Sequence, residues 1–478
     1  MQLHWTRPLG AWRSGFLWRL FGICVLLSFL HALGGFGDSV PWRFVPSSVY
    51  LSCAAALLLV CLGPSLLRLI LLTLCLLAYF IPVMTEWVWF QLSEEFGLFL
   101  VLPVLGFLLT ATVQLRNGTR DEEEAMQVLL FRWAALLVLT FACLHKINAD
   151  FFDPKVSCGV LLPQQLSQWW AVPFPKVILQ APPLASMLLE GLIPFFLILY
   201  PALGLILGYA FLGLVGMIGP APFTLTVMTL ISAFFDDKDG EAMAQGMRRH
   251  RNILAVLMLL LLALSWKTYR GPQWWAELAL YQAAVFFLFC GTFFAVRRAP
   301  AGATIRFLGG LPLLPSQALL RGMMILLVMG GILNGLAPYL GWKYRLSFAM
   351  LSNLRADQTR WNSYIFPKAM ALRQDDPFIR ILNVDMTPEE RAKLTALPDP
   401  YHHAVFPGLF SPMSLLDRLN TLKEAGIHMN VNAQFQDEKR LFEDAAFNEE
   451  CRHWVAQKPQ NKWFQEWLTA QGPQLCIH

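Results

Sequence analysis

The sequence predicts an α-helical polytopic membrane protein of about nine to eleven spans, followed by a small α+β extracytoplasmic C-terminal domain. Three observations predict it. The 478 residues are 56% hydrophobic and 14% charged, with a mean hydropathy of +0.49, whereas soluble domains run near roughly 45–50% apolar and 25% charged. The apolar residues gather in runs near the roughly 20 residues that cross a bilayer. Charge is unevenly spread: residues 1–341 hold 21 Lys/Arg and 16 Asp/Glu, and residues 342–478 hold 16 of each. Charge density doubles near Gly341, so a membrane body, 1–341, gives way to a water-soluble tail, 342–478, long enough for one small core. This composition excludes an ordinary cytosolic enzyme and a disordered chain. A net charge of +5 gives no case for nucleic-acid binding.

The candidate spans are 15–33, 45–63, 66–84, 97–113, 126–145, 184–200, 202–218, 222–235, 252–266, 275–296 and 320–340. Gly216-Met217-Ile218-Gly219-Pro220 breaks the pattern between two of them. Arg7 and Arg13 precede the first span without a convincing small-residue cleavage site, which reads as a retained signal-anchor. Orientation follows from Lys and Arg in short loops. With the N-terminus cytoplasmic, the inner side collects Arg7, Arg13, Arg68, Arg116, Arg120, Lys238, Arg248, Arg249, Arg251, Arg297, Arg298, Arg306 and Arg321. The outer short loops collect only Arg43, Lys146, Lys155, Lys176, Lys267 and Arg270. An odd number of spans then leaves the tail extracytoplasmic. The sequon Asn117-Gly118-Thr119 would face the cytoplasm and is discounted. The outer segment 147–183, with Gln168-Trp169-Trp170-Ala171-Val172-Pro173, reads as interfacial. The chain carries no internal repeat, which disfavours an inverted-repeat transporter.

In the tail, Thr387-Pro388-Glu389-Glu390 is a capping box with Pro at the first helical position. Ser411-Pro412 opens a second helix with the stripe Leu415, Leu416, Leu419 and Leu422, which Gly426 ends. Ile427, Met429, Val431, Ala433 and Phe435 alternate with polar residues as a half-buried strand. A Trp-bearing helix is expected near 461–470. Nine cysteines are too few and scattered for a disulfide framework. Cys158, Cys451 and Cys476 lie in polar segments and their redox state is open. No His/Cys cluster has zinc spacing, and His402-His403 is a loop dipeptide, so no metal is expected.

Ionisable groups inside spans cost about 2.5–3.5 kcal/mol each, so those present are functional suspects. Arg19, Arg68 and Arg132 lie near inner ends and can snorkel. Glu277 reads as interfacial, and Asp121-Glu122-Glu123-Glu124 as a helix N-terminal cluster favoured by the macrodipole. Lys146 ends a run of about twenty residues on the outer side, where Lys is disfavoured. Glu190 lies seven residues into its span and needs a partner or water. A Lys146–Glu190 pair is read either as a structural ion pair or as part of a site in which the lysine is a general base.

At Lys146 the string Phe141-Ala142-Cys143-Leu144-His145-Lys146-Ile147-Asn148-Ala149-Asp150-Phe151 resembles the segment around the active-site base of vitamin K-dependent gamma-carboxylase. It is similar also to that enzyme's bacterial relatives, the HTTM (horizontally transferred transmembrane) domain family. Leu340-Gly341-Trp342-Lys343, then Ser347-Phe348-Ala349-Met350-Leu351-Ser352-Asn353-Leu354-Arg355, resembles the family's string after the last span. Gln374-Asp375-Asp376 and the Glu190–Pro194 spacing fit more weakly. The resemblance implies a quinol-dependent carboxylase or epoxidase of the bacterial inner membrane, acting on an extracytoplasmic peptide. Its implied cofactor is reduced vitamin K or a menaquinol-like quinone, with carbon dioxide and oxygen as co-substrates and no metal. In such a site the lysine deprotonates the quinol, and oxygen then yields a base strong enough to take the γ-proton of a peptide glutamate. The carbanion captures carbon dioxide, and the quinone leaves as an epoxide. Lys146 is then the base. His145, Asn148, Asp150, Glu190 and Glu95 are supporting residues, and Ser352, Asn353 and Arg355 are second-layer or gate residues. The family's Asn-His pair has its counterpart near Ser93-Glu94-Glu95, where no histidine stands. The alternative is therefore a non-enzymatic scaffold in the lipid bilayer, whose tail binds another extracytoplasmic protein.

Overall fold

A computed structural model describes residues 12–36, 47–86, 94–160, 182–218, 221–235, 245–246, 248–268, 315–340, 354–356, 361–372, 378–396, 408–458 and 467–469, with a few single positions besides. The chain divides into two compact units. One comprises Met1–Leu144 and Gly159–Asn334, the other His145–Cys158 and Gly335–His478. The second unit takes in the chain from Gly335 onward. It also takes in 145–158, which composition alone assigns to the membrane body.

The described part of the first unit is helical. Its helices are α1 (Trp12–Phe36), α2 (Ser47–Leu62), α3 (Leu66–Glu86), α4 (Glu94–Leu115), α5 (Arg120–His145), α6 (Pro182–Leu199), α7 (Pro201–Ile218), α8 (Ala221–Ile231), α9 (Arg251–Thr268) and α10 (Ala318–Leu336). α6 and α7 each open on Pro, whose missing N–H costs nothing in the first turn. Along the chain α1 packs on α2, α2 on α3, and α3 on α4. α6 packs on α7, and α8 joins α7 to α1. Gly22 permits the α1–α2 contact, since a Cβ there would lie 2.8 Å from a methyl of Val60 and 3.0 Å from the Ala56 carbonyl oxygen. Trp18 packs edge-to-face on Phe21 and Phe131, with ring centroids 5.3 and 5.0 Å apart. The Trp18 indole N–H donates to Gln127 Oε1 at 3.0 Å, and Gln127 Nε2 donates to the Gly106 carbonyl at 2.9 Å. This buried polar chain is therefore satisfied.

Among the described residues, three helices are long and apolar enough to cross a membrane by length and composition: Gly97–Leu115, Arg120–His145 and Ala318–Leu336. Five shorter apolar helices accompany them. The expected span 275–296 and the aromatic stretch 168–173 lie outside the described residues, apart from single helical positions at 283, 286 and 290. Large apolar side chains face outward; Leu326 of α10 is 74% exposed and Leu259 of α9 is 65% exposed.

The arginines of the apolar helices are tied to backbone carbonyls. Arg132 Nε donates to the Ala233 carbonyl at 2.9 Å, and Arg13 Nη2 donates to the same oxygen at 3.3 Å. Arg68 Nη1 donates to the carbonyls of Leu62 and Gly63, at the end of α2. Each supplies a donor to a carbonyl that the adjoining helix end leaves open. The acidic run that opens α5 is likewise structural. Glu122 and Thr119 form a reciprocal capping box, at 3.1 and 3.2 Å. Glu124 accepts the Arg13 N–H at 3.0 Å, in the first turn of α1.

The described tail is α+β. Its strands are β1 (Ile379–Asp385), β2 (Gly408–Phe410), β3 (Asn430–Phe435), β4 (Glu438–Phe442) and β5 (Trp467–Thr469). Its helices are α11 (Pro388–Ala396), α12 (Pro412–Glu424) and α13 (Glu449–Ala456). The sheet is antiparallel, in the order β4-β3-β1-β2-β5. Ile379 and Ile381 of β1, Val431, Ala433 and Phe435 of β3, and Leu415, Leu419 and Leu422 of α12 share one core with Trp454 and Val455 of α13. α12 ends in a Schellman turn. Gly426 has φ +63°, its N–H donates to the Lys423 carbonyl, and the Ile427 N–H donates to the Leu422 carbonyl at 2.9 Å.

Two expectations are corrected here. Residues 467–469 of the expected closing helix form strand β5 instead, because β2 offers an edge and Trp-Leu-Thr is a β-forming triplet. The capping box at Thr387 is half realised: Thr387 Oγ1 accepts the Glu390 N–H at 3.2 Å. The Glu390 carboxylate turns instead to the His428 N–H at 3.0 Å and to Lys393 Nζ at 3.1 Å.

Candidate functional site

The site is built where α5 stops. Asn148 ends the helix with both arms of its amide. Its Nδ2 donates to the His145 carbonyl at 2.7 Å, and its Oδ1 accepts the Phe151 N–H at 2.8 Å. An Asn suits this turn because its short amide can satisfy backbone groups on either side. Lys146 is thereby held in the first turn past the helix.

A second segment, over 200 residues later, clamps the first. Asn148 and Ser363 form an antiparallel bridge. The Ala149 N–H donates to the Asn362 carbonyl at 2.9 Å, and the Tyr364 N–H donates to the Ile147 carbonyl at 3.2 Å. Asn362 Nδ2 donates to Asp150 Oδ2 at 2.9 Å, while its Oδ1 accepts the Arg355 N–H at 2.8 Å. The Asn362 N–H donates to the Arg355 carbonyl at 2.9 Å, closing a small loop. The two strings that carry the family resemblance are thus hydrogen-bonded through Asn362.

His145 faces Tyr339. The Nδ1–hydroxyl distance is 2.9 Å and the rings stack at 5.3 Å. The Tyr339 hydroxyl also shares a hydrogen bond with Ser363, and its ring packs on Phe366 at 4.2 Å. His145, Asn148 and Tyr339 are fully buried; Arg355 is 1% exposed, Asp150 2% and Lys146 4%. Lys146 Nζ lies 5.9 Å from the centre of the Phe151 ring, at the limit of a cation–π contact. Burial of this many ionisable groups is costly unless each is paired or hydrogen-bonded.

Of the residues singled out from sequence, His145, Lys146, Asn148, Asp150 and Arg355 come together in the second unit. Glu190 is buried on α6 in the first unit. Ser352, Asn353 and the Glu95 side chain lie outside the described residues. Sequence reading missed Tyr339, Asn362 and Ser363. Their signal was faint: a tyrosine just past the last apolar run, and a polar pair after Trp361. Among the described residues no three His, Cys, Asp or Glu side chains group as a metal site. Cys158, which ends the clamped segment, is disulfide-bonded, whereas Cys451 is free and buried. Cys476 lies outside the described residues.

Comparison of the chain with protein-family models, with curated proteins and with solved structures gave no match in any of the three.

Proposed function

We propose that the chain is a polytopic inner-membrane protein of the HTTM and gamma-carboxylase type, with quinol-dependent carboxylase or epoxidase chemistry centred on Lys146. The observation that carries this reading is the clamp. Two strings remote in sequence, each resembling the family, converge by hydrogen bonds around one buried lysine. Convergence on a buried titratable group is the pattern expected of a site.

The residues suit a quinol in kind: an amine as base, only 4% exposed, with a phenyl ring 5.9 Å from it. When bound, a quinol with oxygen supplies a base stronger than any side chain and leaves as the epoxide. With a quinol bound, Lys146 would take a hydroxyl proton at Nζ, which a free amine can do and an ammonium cannot. Asn148 fixes the backbone on either side of Lys146. Asp150 is oriented by Asn362, and His145 by Tyr339. In full turnover one quinol, one oxygen molecule, one peptide C–H and one carbon dioxide give one epoxide, one carboxylate, one water and one proton. Burial keeps water from the carbanion.

The membrane reading is supported by the outward apolar faces of α9 and α10, where Ile253, Val256, Leu259, Leu319, Leu326 and Met329 are all exposed. The segments that follow α5 and α10 are bonded to each other within one unit, which supports a topology in which both helices end on one face of the bilayer. Six candidate spans after α5, an even number, meet that requirement. The disulfide at Cys158 favours an oxidising compartment for this face, hence an extracytoplasmic tail and a cytoplasmic N-terminus.

A second reading, the scaffold, draws on the same clamp. Asn148 and Asn362 satisfy backbone groups, as a purely structural lock would. Epoxide formation from reduced menaquinone by the purified protein separates the two. Wild type should form epoxide, and Lys146→Ala should lose it at least about 100-fold while keeping its melting temperature. No epoxide from wild type, or equal epoxide from both proteins, favours the scaffold.

A further inference from the structure

The loop that clamps the lysine segment has a second face. From Tyr364 to Leu372 its polypeptide is pinned inward. The Trp361 indole donates to the Phe366 carbonyl at 2.6 Å, and Phe366 packs on Tyr339. The Ser363 hydroxyl accepts the Phe366 N–H at 3.2 Å, and a short 3-10 turn follows at Lys368–Met370. Yet Tyr364 is 67% exposed and Leu372 69%, and Ile365 is also exposed. A loop held this firmly has no packing reason to turn three large apolar side chains outward.

The two ends of the loop show where it sits. The Tyr364 N–H donates to the carbonyl of Ile147, two residues beyond the end of α5. The Leu372 N–H donates to the carbonyl of Leu340 at 3.3 Å, four residues beyond the end of α10. A chain spans at most about 3.6 Å per residue, so these anchors lie within roughly 7 and 14 Å of the two helix ends. α5 and α10 are two of the three helices that, among the described residues, are long and apolar enough to cross a membrane. The loop is therefore tied, at both ends, to residues within four positions of the ends of two such helices. Tyr is the residue that favours the headgroup level, with its ring in the apolar layer and its hydroxyl in the wet one. Lys368, exposed between the apolar positions, has a stem that can lie along apolar surface with its ammonium in water.

We infer that Tyr364, Ile365 and Leu372 dock into the headgroup–acyl boundary of the outer leaflet, so that the loop clamping Lys146 is itself a membrane-surface anchor. This rests on the membrane reading of α5 and α10, and not on the carboxylase chemistry. Its consequence for that chemistry is direct: a lipid-dissolved substrate would meet the Lys146 segment at the depth where its polar ring resides.

The test uses the full chain in nanodiscs of phosphatidylcholine and phosphatidylglycerol, with a photoactivatable diazirine near the carbonyl end of the acyl chain. Leu441 of β4 is the internal control, because it is also 69% exposed but carries no tie to a helix end. After illumination, the peptide bearing 361–372 should carry at least about fivefold more lipid adduct than the peptide bearing Leu441. Replacing Tyr364, Ile365 and Leu372 together by Ser should bring it to the control level while α10 remains labelled. A 361–372 peptide no more labelled than the Leu441 peptide, with α10 labelled, overturns the anchor alone. An unlabelled α10 overturns the membrane reading and the anchor with it.

Discussion

At the scale of single residues, Asn362 contributes more than its position in the sequence suggested. One side chain and its backbone bond Asp150, Arg355 and Ala149. Asn362→Ala removes two buried side-chain hydrogen bonds, each worth about 1 kcal/mol, and the desolvation of their partners adds to the loss. A melting experiment should show a drop of several degrees, larger than that of Ser363→Ala. Lys146 and Glu190 were legible because charge is scarce in an apolar run, so each one present stands out, whereas His145 entered only through the resemblance. Asn362 was not legible, because an asparagine in a polar loop has many bland uses and only the fold brings it to Asp150.

At the scale of elements, the helices and their ends were the legible part. Pro-initiated α11 and α12, the Leu stripe and the glycine stop all follow from local chemistry. Gly426→Ala tests the last directly. A Cβ there meets nothing within 4 Å, so the cost is that of φ +63° alone, about 1 kcal/mol. Faster hydrogen exchange in the last turn of α12 should report it. The short strands were less legible. β1 and β4 carry weak alternation, and β5 exists only because β2 offers it an edge. The sheet also sets a pH response. Lys458 at 2.7 Å and Arg440 at 2.8 Å hold the Glu438 carboxyl down to about 2, from an ordinary 4.5. The His428 N–H and Lys393 lower Glu390 in the same direction. A carboxyl held lower in the folded state stabilises above its unfolded pKa and loses that contribution as pH falls through the folded one. Tail stability should therefore decline from about pH 4.5 toward pH 2, modestly for Glu438 because it is solvated. Denaturant midpoints across that range should fall less steeply for Glu438→Gln than for wild type.

At the scale of the whole molecule, the contrast in charge sets body against tail at Gly341, and nothing in composition marks the segment 145–158 that falls in the second unit. That segment follows an apolar run and looks like any outer loop until its bonds to residues 355–364 are known. Its last cysteine gives a test of compartment. Cys158 should resist alkylation even after denaturation until a reductant is added. Cys451, whose thiol burial pushes up to about 12, should react on denaturation alone. Equal reaction of both without reductant would remove the support for an oxidising face. The central claim, that Lys146 acts chemically and not only as a buried prop, is tested most directly by chemical rescue. Lys146→Ala protein, purified in nanodiscs and supplied with reduced menaquinone and oxygen, would be titrated with small primary amines. The account predicts that epoxide formation, absent in the variant, returns with added amine and rises with pH as the amine loses its proton. A folded variant that keeps wild-type turnover without amine, or that no amine restores, would contradict it.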